Sequence, residues 1–323
     1  MSLPEFQYLR PRSIDEAVEM LGKHAPSVQI LAGGTDLLPS LKQQLFAPRH
    51  LVDLGGVREL RAILPADGGL QIGAMTTLTN LERSREVAQR YPVLHEAVKT
   101  VASPVLRNMG TVGGNICLDT RCLWYNQSLA WRKSCGFCIK KDGDLCHVAP
   151  GGSKCWAAFS ADTPPALLCL EAEIEIASPR GVRRMPLAEF YNNDGVDRMK
   201  LAKDELLTRV ILPARTAGWR GVYRKLRVRG SIDYPLAGVA VALQRNGTVS
   251  EARIAITGVN PAPLLVRADS LTGRELSDEL AAQVADVAAK AAKPLTTSAL
   301  TPEYRREMVR VFTRRALLAA GAE

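Results

Sequence analysis

One stretch constrains this chain more than any other: a glycine turn that runs straight into a crowd of cysteines. Thr111-Val-Gly-Gly-Asn115 opens it, and Cys117, Cys122, Cys135, Cys138, Cys146 and Cys155 follow, six of the seven cysteines in the sequence. A glycine turn lets the backbone come close to an anion and point N–H groups at it. Clustered thiolates bind a soft metal or an iron–sulfur cluster. Set back to back, they suggest two redox centres, or a cofactor and a metal, on one polypeptide. The cysteine stretch is too rich in Gly, Lys and Asp to build its own core. It is expected to be an insertion, about residues 117–160, that needs an internal staple.

A second glycine turn, Ala32-Gly-Gly-Thr-Asp36, lies between an apolar strand at 28–31 and a segment of helical spacing at 37–45. Either turn alone reads as a tight connection between a strand and a helix. Together they offer donors to both sides of a dinucleotide diphosphate. Neither fits G-x-G-x-x-G or G-x-x-x-x-G-K-[ST], which argues against a Rossmann fold and a Walker-type site.

The spacing of the cysteines leaves the metal open. Cys122, Cys138, Cys146 and Cys155 are separated by fifteen, seven and eight residues, and Cys135 forms a Cys-x-x-Cys pair with Cys138. Structural zinc sites usually combine two short pairs, and here there is one. Four thiolates also suit a 4Fe–4S cluster. Adjacency to a cofactor turn favours the redox group. Cys117 and Cys169 sit in apolar runs and read as small buried hydrophobes. His147 reads as an ordinary polar loop residue.

At 323 residues the chain holds two or three domains. The order of elements predicts α+β. A small unit covers about 1–55, with Ser13-Ile-Asp-Glu16 opening a helix as a capping box. A second unit runs over about 56–177, with a hairpin at Asp67-Gly68-Gly69 and helices at 78–86 and 92–101. We place the boundary of the larger domain at 177, and 178–323 forms a C-terminal α+β domain with strands near 206–212, 221–229, 237–244 and 252–258 and two closing helices. The net charge of +9 and pI near 9.3 come with only 5% aromatic residues and no nucleic-acid motif. A basic surface facing acidic protein partners is the expectation, without nucleic acid or membrane. No apolar run spans a bilayer and no signal peptide opens the chain, so a cytoplasmic location with reduced cysteines is expected.

Ala32-Gly-Gly-Thr-Asp36, Gly73-Ala-Met-Thr-Thr77 and Thr111-Val-Gly-Gly-Asn115 resemble the FAD-binding subunits of the molybdenum hydroxylases, the family of xanthine dehydrogenase and carbon monoxide dehydrogenase. Asp162-Thr-Pro-Pro-Ala-Leu-Leu168, Tyr223-Arg-Lys225 and Asp233-Tyr-Pro-Leu-Ala-Gly-Val239 extend the resemblance over nearly the whole chain. It implies a two-subdomain FAD-binding domain of the PCMH/VAO type, followed by a smaller domain of the CO dehydrogenase flavoprotein type. It also implies FAD held by Ala32, Gly33, Gly34, Thr35 and Asp36, by Thr76, and by Thr111, Gly113, Gly114 and Asn115. Asp162 and Lys225 would lie farther along the cofactor, and no residue of this chain would be catalytic.

The insertion, with Thr120-Arg-Cys-Leu-Trp-Tyr-Asn-Gln-Ser128, is similar to that of the β subunits of 4-hydroxybenzoyl-CoA reductases. That likeness implies a 4Fe–4S cluster on Cys122, Cys138, Cys146 and Cys155, with Cys135 outside the pattern. It implies electron transfer from a ferredoxin-like donor toward a 2Fe–2S subunit and a molybdopterin subunit, for reductive dehydroxylation to benzoyl-CoA. The alternatives are the flavin subunit of an ordinary hydroxylase, aldehyde or CO dehydrogenase that passes electrons outward, and a non-catalytic scaffold with structural zinc.

Overall fold

The computed structural model describes residues 3–322. The first unit carries β1 (Gln7–Leu9), α1 (Ile14–His24), β2 (Val28–Leu31), α2 (Leu37–Lys42) and β3 (His50–Asp53), with the strands parallel in the order β1-β3-β2. Ser13 Oγ accepts from the Glu16 N–H at 3.1 Å, and the Glu16 carboxylate accepts from the Arg12 N–H at 2.7 Å. That exchange satisfies donors the first turn of α1 would otherwise leave open. The turn Ala32–Asp36 leaves the carboxyl end of β2, where open parallel sheets bind their ligands.

The second unit begins with β4 (Ile63–Ala66) and β5 (Gly69–Gly73), then α3 (Leu78–Arg83), α4 (Arg85–Arg90), α5 (Pro92–Thr100), α6 (Pro104–Arg107) and α7 (Val112–Ile116). After α8 (Leu129–Ser134) and α9 (Thr163–Cys169) come β6 (Glu173–Ser178), β7 (Gly181–Pro186) and β8 (Leu206–Leu212). The β4–β5 turn has both central residues at positive φ, Asp67 at 48° and Gly68 at 74°, the conformation a two-residue hairpin needs. One detail differs from the sequence reading: the expected helix 78–86 is split at Ser84, whose Oγ accepts from the Val87 N–H at 3.3 Å and starts α4. The sheet order is β4-β5-β8-β6-β7, so this unit continues to Leu212, past the boundary expected at 177.

The last unit is the antiparallel sheet β12-β11-β10-β9, made of β9 (Arg220–Leu226), β10 (Ala237–Asn246), β11 (Thr248–Thr257) and β12 (Leu264–Val266). It is backed by α10 (Asp278–Ala291) and α11 (Pro302–Gly321). Alternation along β10 divides its faces. Val239, Val241 and Leu243 pack toward α10 and α11, while Ala240 and Ala242 join the core of the second unit.

Arg305 on α11 is fully buried and has no carboxylate partner among the described residues; it donates to the carbonyls of Leu236 at 2.9 Å, Leu295 at 2.8 Å and Gly258 at 2.6 Å. Burial lowers its pKa to about 10, so it stays charged at neutral pH. Arg305→Leu strands three carbonyls and should cost roughly 3 kcal/mol or more. Arg310→Ala, which removes half-exposed pairs to Glu307 and Asp286, should cost less than about 1 kcal/mol. Thermal unfolding of the two variants checks the ranking.

Candidate functional site

Both glycine turns line one cleft of about 690 Å³ between the first and second units. Ala32, Gly33, Gly34, Thr35 and Asp36 border it from one side, and Thr111, Gly113, Gly114 and Asn115 from the other. Their approach leaves no room for side chains. A Cβ on Gly33 would stand 1.9 Å from the Met109 carbonyl oxygen, and one on Gly113 would stand 2.7 Å from Ala74 Cβ. Gly34 takes a φ of 71°. Thr111 Oγ1 accepts from the Gly114 N–H at 3.1 Å and shapes the second turn. Asn115 Oδ1 accepts from the Thr163 N–H at 3.1 Å and hydroxyl at 2.6 Å, which ties that turn to the start of α9.

Asp162 also lines the cleft, but two of the expected residues do not. Thr76 is buried behind the wall, where its carbonyl accepts from the Val112 N–H at 3.0 Å; its neighbours Ala74 and Met75 reach the cleft instead. Lys225 stands one layer back. Its Nζ donates to Asp162 Oδ2 at 2.9 Å and to the Thr100 carbonyl at 2.9 Å, while the Tyr223 hydroxyl holds Asp162 Oδ1 at 2.8 Å. Lys225 therefore orients Asp162 through a buried ion pair and is no solvated strand lysine.

The sequence reading missed a second anchor. Arg121, directly before Cys122, ion-pairs with Asp36 and donates to the Tyr234 hydroxyl at 2.7 Å, and its guanidinium lies 4.3 Å from the Tyr234 ring centroid. Tyr234 in turn donates to Asp36 Oδ1 at 3.0 Å. The only hint in the sequence was position, since both residues lie inside segments that carry the family likeness.

Cys122, Cys138, Cys146 and Cys155 are all buried. Cys122, Cys138 and Cys155 share an apolar nest with Leu45, Tyr125 and Ala157. Burial pushes the Cys122 and Cys155 thiols up to about 11. Cys135 stands apart, half-buried at the end of α8 with the Ser134 hydroxyl 4.0 Å away. His147 stacks on Trp124 with ring centroids 4.3 Å apart, and its Nε2 lies 2.5 Å from the Phe137 carbonyl oxygen. Cys169 is buried in the core against the Ala240 and Arg253 carbonyls, as a structural thiol would be, whereas half-buried Cys117 borders the cleft. Among the described residues no three His, Cys, Asp or Glu side chains converge on the spacing of a single metal ion.

Comparison with known proteins agrees with this division of the chain. Residues 4–215 match the family described as the FAD binding domain in molybdopterin dehydrogenase, and residues 222–320 match the CO dehydrogenase flavoprotein C-terminal domain. The carbon monoxide dehydrogenase medium chain of Hydrogenophaga pseudoflava is 32% identical, over 99% of this chain and 98% of that one. The aldehyde oxidoreductase FAD-binding subunit of Escherichia coli is 33% identical, over 81% of this chain and 84% of that one. Among solved structures, the Cu,Mo-CO dehydrogenase superposes with a TM-score of 0.81 at 29% identity, over 99% of both chains. Quinoline 2-oxidoreductase from Pseudomonas putida 86 gives 0.79 at 27%, over 99% of this chain and 98% of that one.

The close approach of the turns is testable without any ligand. Gly33→Ala drives a methyl into a backbone carbonyl and should destabilise the protein by roughly 1–3 kcal/mol. Gly151→Ala, where nothing lies within 4 Å of the added carbon, should change little. Thermal unfolding of the two, side by side, decides it; equal midpoints would remove the steric argument.

Proposed function

This chain belongs to the FAD-binding subunits of the molybdenum hydroxylase family, and on that premise we propose that it is the electron-transfer subunit of a multi-subunit molybdenum oxidoreductase. The cleft between the two glycine turns is the observation that carries the proposal. Gly33, Gly34, Thr35 and Asp36 would meet the FAD diphosphate from one side, and Thr111, Gly113, Gly114 and Asn115 from the other. Ala32 and Thr76 would hold the turns in place. Asp162 would meet the cofactor directly, with Lys225 and Tyr223 fixing its carboxylate. When bound, FAD exchanges one or two electrons and so links carriers of both kinds. The chain's own residues then bind and orient it and wall the cleft from water. Partner subunits would hold 2Fe–2S centres and molybdopterin, and the substrate would bind there. The proteins named above are carbon monoxide dehydrogenases, an aldehyde oxidoreductase subunit and a quinoline 2-oxidoreductase, which favours an ordinary hydroxylase or dehydrogenase subunit that passes electrons outward.

A second reading has a specific observation behind it. Four buried cysteines gathered on an insertion beside the cleft support a 4Fe–4S cluster on Cys122, Cys138, Cys146 and Cys155. A flavin subunit that only passes electrons outward has no need of one. With such a cluster, the chain would serve a reductase of the 4-hydroxybenzoyl-CoA type, with electrons entering from a ferredoxin-like donor. Thiolate ligation also suits a cytoplasmic location.

Complex purified without air should release FAD on denaturation, and it should contain acid-labile sulfide with iron beyond that of the 2Fe–2S centres. Cys146→Ser should lose that extra iron and sulfide while FAD stays. Cys169→Ser and Cys135→Ser should lose neither. Zinc without sulfide would end the cluster reading and leave the hydroxylase subunit standing. Absence of flavin would end both.

A further inference from the structure

Two cations, Lys140 and Arg198, converge on one buried carboxylate, Asp119, between the cleft and the cysteines. Asp119 borders the cleft and is 6% exposed. Its Oδ1 accepts from Lys140 Nζ at 2.7 Å, its Oδ2 from the Tyr125 hydroxyl at 3.0 Å, and Arg198 Nε lies 3.6 Å from Oδ1. Lys203 lines the same region. One carboxylate cannot neutralise Lys140 and Arg198 together. An uncompensated buried charge is costly unless an anion stands near.

The contacts of Lys140 lead to the cysteines. Its side chain is 6% exposed. Nζ donates to the Thr120 carbonyl at 3.3 Å and to the Thr120 hydroxyl, and it sits 4.4 Å from the Tyr125 ring centroid. The Thr120 hydroxyl donates onward to the Gly195 carbonyl at 3.2 Å. Gly195 is packed on Cys155: its N–H donates to the Cys155 carbonyl at 2.9 Å, and a Cβ there would stand 2.6 Å from Cys155 Sγ. The Lys140 charge acts on Cys155 as well.

We propose that Lys140 is a positioning residue for the cysteine-bound cluster, its ammonium fixed by Asp119 and Thr120 to raise the reduction potential of that centre. The inference rests on the cluster reading given above. A group held by four thiolates is negatively charged, and each reduction adds one electron and no proton. A fixed cation nearby stabilises the reduced form more than the oxidised one, because the Coulomb term grows with the charge. The electron would come from, or go to, a flavin held in the cleft that Asp119 borders. Charge in the wall therefore tunes the step between the two centres without touching either ligand set.

The test uses the whole complex carrying Lys140→Met or Lys140→Arg. Iron, sulfide and FAD are counted first, and the cluster is then titrated with a chemical reductant and followed by electron paramagnetic resonance. Lys140→Met should keep its iron and sulfide. At a fixed poise its ratio of oxidised to reduced cluster should rise about tenfold, which is about 59 mV for one electron. Lys140→Arg should titrate like the unaltered complex. Loss of iron from Lys140→Met with retention in Lys140→Arg would also support a charge requirement. Loss from both variants would make the residue a packing element and overturn the inference, as would full occupancy of Lys140→Met with an unchanged titration, or equal shifts in both. Absence of iron and sulfide beyond the 2Fe–2S centres in the unaltered complex would defeat the cluster reading itself, and this inference with it.

Discussion

The meeting of two backbones at Gly33 and Met109 is the contact on which the rest of the cleft depends. A side chain at Gly33 would hold the turns apart, since even a methyl would fall 1.9 Å from the carbonyl oxygen. The consequence reaches beyond local fit. The first unit has a sheet of only three short parallel strands, too little to bury much on its own. It gains a core by packing α1 with Ala177 and Leu206 of the second unit. The turns therefore come together where two units are already pressed into contact. The ligand space is the part of that interface the side chains do not fill.

The cysteine insertion is held by neighbours as much as by its own residues. Leu45 and Phe46 of the first unit complete the apolar nest around three of its thiols. Arg132 is fully buried and donates to the Gln43 carbonyl at 3.3 Å and the Gln44 carbonyl at 2.9 Å. On the other flank the Leu123 N–H donates to the Thr297 carbonyl at 2.8 Å. All three units thus grip the insertion. Inside it, the Cys122 and Cys155 thiols, pushed up by burial, would have to shed protons before ligating the proposed cluster, which would couple metal and fold there.

Much of the fold was legible because its signals are local. Ser13 and Glu16 cap α1 within four residues, and Asp67-Gly68 forms the turn its residues favour. What escaped was settled at a distance. β7 reads as charged and turn-like because it is an edge strand, fastened by Arg184 to Glu175 at 3.1 Å and by Arg183 to Glu205 at 2.9 Å. The end of the second unit lies past 177 for a related reason: β8 returns to the middle of the sheet and pairs there with β5, a strand more than 130 residues back in the sequence. At the site, the glycine turns announced themselves by composition. Lys225 was assigned to the cleft, yet it stands behind Asp162, a partner 63 residues away, and no spacing rule reveals which of two buried charges faces the ligand. Asp119 and Lys140 gave no signal either, because a lysine in a Lys-Lys-Asp loop reads as solvated until its partner is known.

The segment after Tyr191 shows why the two sites should be considered together. Asp194 Oδ1 accepts from the Val196 N–H at 2.8 Å and from the Cys155 N–H at 3.3 Å, so one carboxylate fixes both the loop and the fourth cysteine. Gly195 packs on that cysteine's sulfur, and the next three residues, Val196, Asp197 and Arg198, line the flavin cleft. The cleft and the thiols thus share a wall one short loop thick. A loop held this way from both sides cannot adjust to one site without disturbing the other. Arg198 carries the same coupling in charge: it borders the cleft and also faces Asp119, the carboxylate that anchors Lys140. The separation of the two sites is therefore fixed by covalent neighbours and close packing rather than by flexible docking, the condition under which fixed charges could set the energy of a flavin in the cleft relative to the cluster proposed on the thiols.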